Sequence, residues 1–255
     1  MAHRGAKKFA PENTLAAIQK AVELGMDFAE VDVQSTRDGH LVLMHDPDVD
    51  RTTDGRGFVY DMSLGQVKAL DAGARFHAGF KGVRVPTLEE AFDAARGQIQ
   101  LCIHWKDATP EALARSFEQA HAWDSAVVLG SAGQVAALRR VDPRIRVITD
   151  VYSLTALEAV VQLEDRPYGV SPSLSWLNAE VVAECHAAGI IVFADLPGPV
   201  EDCVQIVTAV EMGVDVVQTD DPDAVLRCLD ALVGQAGIVR KQPLAANPAG
   251  RIRWT

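Results

Sequence analysis

Positive charge is scarce in this chain. Its 255 residues carry 24 Lys and Arg against 35 Asp and Glu, a formal net charge of −11. Four of the cations (Arg240, Lys241, Arg251 and Arg253) lie in a terminal stretch, 233–255, that contains no acid, so the body 1–232 carries about −15. Nucleic acid is excluded as a partner, because binding it needs a broad basic surface. A small anionic substrate remains compatible if a few cations and a metal offset the field locally. Cysteine is sparse as well. Cys102, Cys185, Cys203 and Cys228 form no CxxC pair and each sits among apolar residues, which predicts buried free thiols in a reducing compartment. No apolar run approaches the roughly 18 residues of a membrane span, and no apolar leader precedes His3. The expectation is a cytoplasmic protein without a membrane span. Internal repeats and low-complexity segments are also missing.

What the chain has is alternation. Short β-rich apolar runs at 28–33, 99–104, 126–129, 146–149, 168–171, 190–194 and 214–219, with a stub at 1–3, make eight strands. Helical patterns fall between them at 12–24, 88–95, 110–122, 132–141, 154–163, 178–187 and 200–212, and a last one covers 223–232. Gly25, Gly189 and Gly213 stand where helices should stop, and Pro86-Thr87 before Glu89-Glu90 where one should start. Eight strand–helix units with 48% hydrophobic residues predict an α/β protein, a (β/α)8 barrel in a single domain over 1–232. A doubly wound sheet is the alternative, but its glycine-rich first turn is absent: the first turn reads His3-Arg4-Gly5. The stretch 34–85 is irregular. Asp38-Gly39 predicts a hairpin joining 28–33 to 41–45, followed by a long loop excursion of the kind that shapes an active site. The basic 233–255 segment reads as an irregular extension.

The chemistry gathers at strand ends, where a barrel places its catalytic groups. Glu30 and Asp32 are two residues apart in one strand and so point to the same side, with Val31 and Val33 opposite. Two carboxylates facing the barrel axis repel each other, and a divalent cation relieves both that repulsion and their desolvation. Inward Arg or Lys partners are the alternative. In the third strand, Cys102, His104 and Lys106 share a face, opposed to Leu101, Ile103 and Trp105. His104 is therefore either a ligand or a hydrogen-bonded core residue. His3 and His45 end the first strand and the hairpin strand, and two imidazoles facing one centre allow one to take a proton while the other gives one. Arg4 and Lys106 suit a phosphate. His40, His77, His121 and His186 read as surface or packing residues, and Asp220-Asp221-Pro222 as a cap on the last helix at a strand end that also faces the site.

Set in order, these segments resemble one family. Ala2-His3-Arg4-Gly5, Pro11-Glu12-Asn13-Thr14, Glu30-Val31-Asp32-Val33, Met44-His45-Asp46-Pro47 and Arg51-Thr52-Thr53-Asp54-Gly55 are similar to the motifs of glycerophosphodiester phosphodiesterases, with weaker matches at Pro86–Glu90 and Thr219–Pro222. The resemblance runs from His3 to about Leu232. It implies a (β/α)8 barrel and metal-assisted hydrolysis of a glycerophosphodiester or related small diester. It also implies His3 and His45 as the acid–base pair, Arg4 and Lys106 on the phosphate, Asp46 orienting the histidine or holding a substrate hydroxyl, and Glu30 and Asp32 on a divalent metal. In that family a glycerol hydroxyl attacks phosphorus and water then opens the cyclic phosphate.

The chain departs from the pattern twice. His104 replaces a usual metal-binding glutamate two residues before the lysine. The site thereby loses one negative oxygen ligand, which disfavours calcium, leaves magnesium usable and favours manganese or zinc. The seventh strand reads Val192-Phe193-Ala194-Asp195-Leu196-Pro197-Gly198-Pro199 where a tryptophan is usual, so pocket shape and headgroup preference differ. A lyase that stops at the cyclic phosphate, and a barrel that binds a phosphorylated ligand without turnover, remain open.

Overall fold

The computed structural model describes residues 1–196 and 203–236. Seven parallel strands run in sequence order around it: β1 (Phe28–Ser35), β3 (Gln100–Asp107), β4 (Ala126–Gly130), β5 (Val147–Val151), β6 (Gly169–Pro172), β7 (Ile191–Asp195) and β8 (Val216–Gln218). The eighth stave is the N-terminal segment, reduced to one residue of pairing. Ala2 bridges in parallel to Ala29 on one side and to Thr219 on the other. Its amide donates to the Phe28 carbonyl at 2.8 Å, and the His3 amide donates to the Thr219 carbonyl at 3.1 Å. The barrel is therefore closed between its first and last strands, and His3 leaves that seam at the end where the other strands finish.

The hairpin forms as the Asp38-Gly39 turn predicts. Strand β2 (Leu41–Leu43) pairs antiparallel with the upper half of β1, Val33 opposite Leu43. Period-two alternation sorts the side chains. Phe28, Cys102, Val127, Ile148, Phe193 and Val216 fill the barrel, with Phe28 and Phe193 edge to face at 5.7 Å. Val31, Val33, Leu101, Ile103 and Trp105 face outward into the layer under the helices.

The helices follow α1 (Leu15–Glu23), α2 (Leu64–Ala69), α3 (Leu88–Ala95), α4 (Pro110–Ala120), α5 (Ala132–Val141), α6 (Leu154–Val161), α7 (Ala179–Ala187), α8 (Val204–Met212) and α9 (Pro222–Ala236). Side-chain oxygens set their starts: Thr87 caps α3 in a capping box with Glu90, and Ser131 does the same for α5 with Gln134. Each such cap contributes about 1 kcal/mol. Helix α3 buries Leu88, Ala91, Phe92 and Ala95, one stripe of a helical period. Between β2 and α3 the insertion packs on its own small core of Val42, Met44, Val49, Val59, Val67, Ala72 and Val85. The Asp71 carboxylate pins it by accepting the amides of Gly73, Ala74 and Gly82.

Four expectations are corrected. The first helix starts at Leu15, because Thr14 caps it and leaves Glu12 and Asn13 in the preceding loop. The eighth helix starts at Val204; the earlier part of its pattern, and the Pro197–Pro199 departure, lie outside the described residues. The last helix, α9, runs from Pro222 to Ala236 rather than over 223–232; the rest of the basic extension lies outside the described residues. The cysteines do not all stay free: Cys203 and Cys228 form a disulfide across α8 and α9, while Cys102 and Cys185 are buried thiols. The sequence shows neither partner of that pair because they meet only when the two helices pack. Among the described residues no helix is long and apolar enough to cross a membrane.

The disulfide closes a loop spanning 25 residues, a constraint on the unfolded chain of about 3 kcal/mol. Thiol titration of the denatured, unreduced protein should find two thiols, rising to four after reduction. Four before reduction would show that the bond is not formed.

Candidate active site

Glu30 and Asp32 lie side by side on β1, both 0% exposed, at the C-terminal mouth of the barrel. Each has one oxygen satisfied. The Arg4 amide donates to Glu30 Oε2 at 2.7 Å, and Asn13 Nδ2 donates to Asp32 Oδ2 at 2.8 Å. The other oxygens, Glu30 Oε1 and Asp32 Oδ1, are buried and accept no hydrogen bond. Both face His104, whose Nδ1 is 3.7 Å from the first and 3.5 Å from the second. One ligand atom from each of Glu30, Asp32 and His104 falls within 4.8 Å of the others. Two orphaned carboxylate oxygens converging with an imidazole nitrogen fit a divalent cation, and an ion there would satisfy the atoms that the protein leaves unpaired.

Burial sets the electrostatics. It pushes both carboxyls up, since desolvation penalises the charged form. For Glu30 the facing His104 and His3 rings and the Arg4 amide outweigh it, and the group sits below the usual range. For Asp32 the adjacent Glu30 charge adds to burial, and the group is raised despite Asn13, Lys106 and His45. The pair thus resists holding two charges without a cation.

Cations and imidazoles ring these carboxylates. Lys106 Nζ, two residues along β3 from His104, is 3.3 Å from Asp32 Oδ1. Arg4 Nε lies 3.7 Å from Asp32 Oδ2, buried and without a hydrogen-bond acceptor. His3 Nε2 lies 4.0 Å from Glu30 Oε2, and its Nδ1 meets Asp220 Oδ1 at 2.5 Å. His45 follows β2, and its Nδ1 meets Asp46 Oδ1 at 2.7 Å. Both histidines therefore hold a carboxylate at Nδ1 and leave Nε2 for chemistry.

Local backbone makes this possible. Arg4 is left-handed at φ 52°, and Gly5 follows at φ 73°. A Cβ on Gly5 would lie 2.6 Å from the Ala17 Cβ, so only glycine lets the turn after the seam settle on α1. The hairpin end is held by Gln34, whose amide donates to the carbonyls of Met44, His45 and Asp46.

All eight residues singled out in the sequence lie at this mouth: His3, Arg4, Glu30, Asp32, His45, Asp46, His104 and Lys106. The cap expected of Asp220-Asp221-Pro222 forms, and that strand end faces the site, but Asp220 was given no role at His3. Asp221 caps α9, accepting the Ala224 amide at 3.2 Å, while Asp220 pairs with His3 and with Lys7 at 2.7 Å. Two acids in succession, where a cap needs one, were the available signal. Asn13, Glu12 and Arg51 received no role either. Asn13 clamps Asp32 from both side-chain atoms, its Oδ1 accepting the Asp32 amide at 2.9 Å. Glu12 accepts Arg4 at 2.9 Å and both Arg51 terminal nitrogens at 2.8 Å. Arg51 also donates to Asp46 at 2.5 Å.

The chain matches the model of the glycerophosphoryl diester phosphodiesterase family over residues 3–224. It belongs to that family. A glycerophosphodiester phosphodiesterase of Caldanaerobacter subterraneus subsp. tengcongensis is 34% identical over 236 residues, covering 89% of this chain and 95% of the relative. Among solved structures, the glycerophosphodiester phosphodiesterase of Agrobacterium tumefaciens superposes with a TM-score of 0.78 at 27% identity, over 89% of this chain and 97% of its own. An Oleispira antarctica phosphodiesterase in complex with the product sn-glycerol-3-phosphate gives 0.78 at 28% identity, over 90% and 95%. The (β/α)8 fold and the class of phosphoric diester hydrolases go with this glycerophosphodiester phosphodiesterase family.

The Arg51 guanidinium beside Asp46 holds that carboxyl down at about 2, with His45 assisting. A depressed folded value means that the pairing stabilises the protein fully above the unfolded value of about 4 and is lost as pH falls towards about 2. Chemical denaturation of Asp46→Asn should show a flatter acid limb of the stability curve across that window. A limb as steep as the parent's would mean that the pairing carries no pH-dependent stability.

Proposed function

We propose that this chain hydrolyses glycerophosphodiesters, or closely related small diesters, to an alcohol and a phosphomonoester. The observation that carries this reading is the pair of histidines, each with Nδ1 on a carboxylate, flanking two buried carboxylates whose remaining oxygens accept no hydrogen bond. Glu30, Asp32 and His104 would hold a divalent cation; when bound it supplies positive charge against the phosphoryl oxygens. Arg4 and Lys106 add fixed positive charge from two other sides.

The residues then divide the work. One imidazole takes the proton from a glycerol hydroxyl as that oxygen bonds to phosphorus. The other protonates the alcohol oxygen as its bond to phosphorus breaks. In a second displacement, water opens the cyclic phosphate with the proton roles reversed. Asp220 and Asp46 keep each ring in the tautomer and orientation that leaves Nε2 free, and they stabilise the imidazolium that forms. Asn13 keeps the Asp32 carboxylate oriented. A glycerol-3-phosphate product, as in the Oleispira relative, follows from this sequence of steps.

His104 sets the choice of cation. An imidazole in place of an oxygen ligand disfavours calcium relative to manganese or zinc, and magnesium remains usable. The cytoplasmic location suggested by sequence stands against the Cys203–Cys228 disulfide, which persists in oxidising compartments. Alkylation of the thiols at cell lysis decides between them.

His45→Ala and His3→Ala should each lower kcat/KM for a glycerophosphodiester by about 10²- to 10⁴-fold. Phosphorus NMR of the parent reaction should show a phosphomonoester accumulating. A cyclic phosphate that persists would make the enzyme a lyase, and parent-like turnover by His45→Ala would remove its acid–base role. For the cation, calorimetric titration of His104→Glu should show calcium binding gained, about tenfold or more, relative to manganese. An unchanged ratio of the two affinities would show that His104 is not a ligand.

A further inference from the structure

Beside the carboxylate pair opens a cleft of about 460 Å³, and Arg4, Lys7, Lys8, Arg51 and Arg75 all line it. Five cations on one cleft stand out in a chain with a net charge of −11. Two acids line the same cleft, Glu12 and Asp220. Both are already engaged: Glu12 by Arg4 and Arg51, Asp220 by Lys7 and His3. Lys8 is neutralised from outside by Asp221 and Asp223 at 2.6 and 2.9 Å.

Arg75 differs from the other four. Its guanidinium donates to the backbone carbonyl of Asp50, and among the described residues no carboxylate pairs with it. A carbonyl satisfies a donor without cancelling the charge. Among the described residues, the cleft therefore contains one cation that no carboxylate pairs with, and its two acids are both engaged.

The reaction requires one arm of the diester to stay short. The glycerol hydroxyl must reach phosphorus, so that arm remains at the carboxylates and imidazoles. Arg4 joins the site to the cleft: its amide contacts Glu30 and its side chain lines the cleft. Resting on the phosphodiesterase reading above, we propose that the leaving-alcohol arm occupies this cleft and that Arg75 selects diesters whose alcohol carries an anionic group, such as a second phosphate. A quaternary or primary ammonium headgroup finds the opposite of what it needs. The cleft offers it one aromatic ring, Phe76, next to an unneutralised guanidinium, and no spare carboxylate. Cation–π recognition of such groups uses a cage of rings free of competing cations.

The test compares three diesters on the parent enzyme: glycerophosphoinositol phosphate, glycerophosphoinositol and glycerophosphocholine. Expected is a kcat/KM for the phosphorylated inositol diester about tenfold above that of the unphosphorylated one, with choline lowest, and a preference that shrinks as ionic strength rises. In Arg75→Ala the ratio between the two inositol diesters should fall towards one, in Arg75→Glu it should invert, and in Arg75→Lys it should persist. Arg75 is solvent-exposed, so these changes leave the core intact. A choline diester cleaved as well as the anionic one, or the same ratio in Arg75→Ala as in the parent, overturns the assignment while leaving the phosphodiesterase reading in place. Failure to cleave any of the three overturns that reading itself.

Discussion

Two carboxylates buried side by side at the mouth of the barrel are the constraint around which this protein is arranged. Glu30 and Asp32 are fully inaccessible, and each keeps an oxygen that accepts no hydrogen bond. Leaving charge in that state costs several kcal/mol per ion unless a counter-charge is close. Everything that converges on the pair supplies one: Arg4 from the barrel seam, Lys106 and His104 from the neighbouring strand, and His3 beyond Glu30. A cation held by Glu30, Asp32 and His104 would complete the set, and the same concentration of positive charge is what a phosphodiester requires as charge develops on its oxygens.

Around that centre the protein repeats one device. A carboxylate at Nδ1 orients each histidine, and a cation holds the carboxylate: Lys7 behind Asp220, Arg51 behind Asp46. Glu12 then joins Arg51 to Arg4, so the hairpin loop, the seam loop and the segment before α1 form one network of ion pairs. Individually such pairs are weak when exposed. Their value here is geometric, because they hold three separate loops around the one carboxylate pair. The insertion adds rigidity through its own apolar core and through Gln34, which ties down the backbone that carries His45.

Much of this was legible before any coordinates. The alternation of Glu30 and Asp32 with Val31 and Val33, and of His104 and Lys106 with Ile103 and Trp105, assigns faces to side chains without knowledge of the neighbours, since a strand has a strict period of two. The eight apolar runs separated by helical patterns gave the barrel, and the Asp38-Gly39 turn gave the hairpin. Pairings across long stretches of chain were not legible. Asp220 meets His3 over a separation of 217 residues, and Arg51 meets Glu12 over 39. Each of these residues has an ordinary local explanation, a helix cap or a surface loop, and nothing nearby in sequence contradicts it. The first helix illustrates the same limit: its periodicity reaches back to Glu12, but the Thr14 cap stops it and frees Glu12 and Asn13 for the site.

Sequence by itself determined the fold class, the family and the inward phase of Glu30, Asp32 and His104. These follow from local periodicity and from residue identity in contiguous motifs, which survive without knowledge of packing. Tertiary structure alone decided which carboxylate serves which histidine, that Cys203 finds Cys228, and that Arg75 pairs with no carboxylate among the described residues. The physical reason is that charge pairing and sulfur bonding depend on distance in space. Closure of the barrel, made by the single pairing residue Ala2 between Ala29 and Thr219, brings His3 and Asp220 together from 217 residues apart.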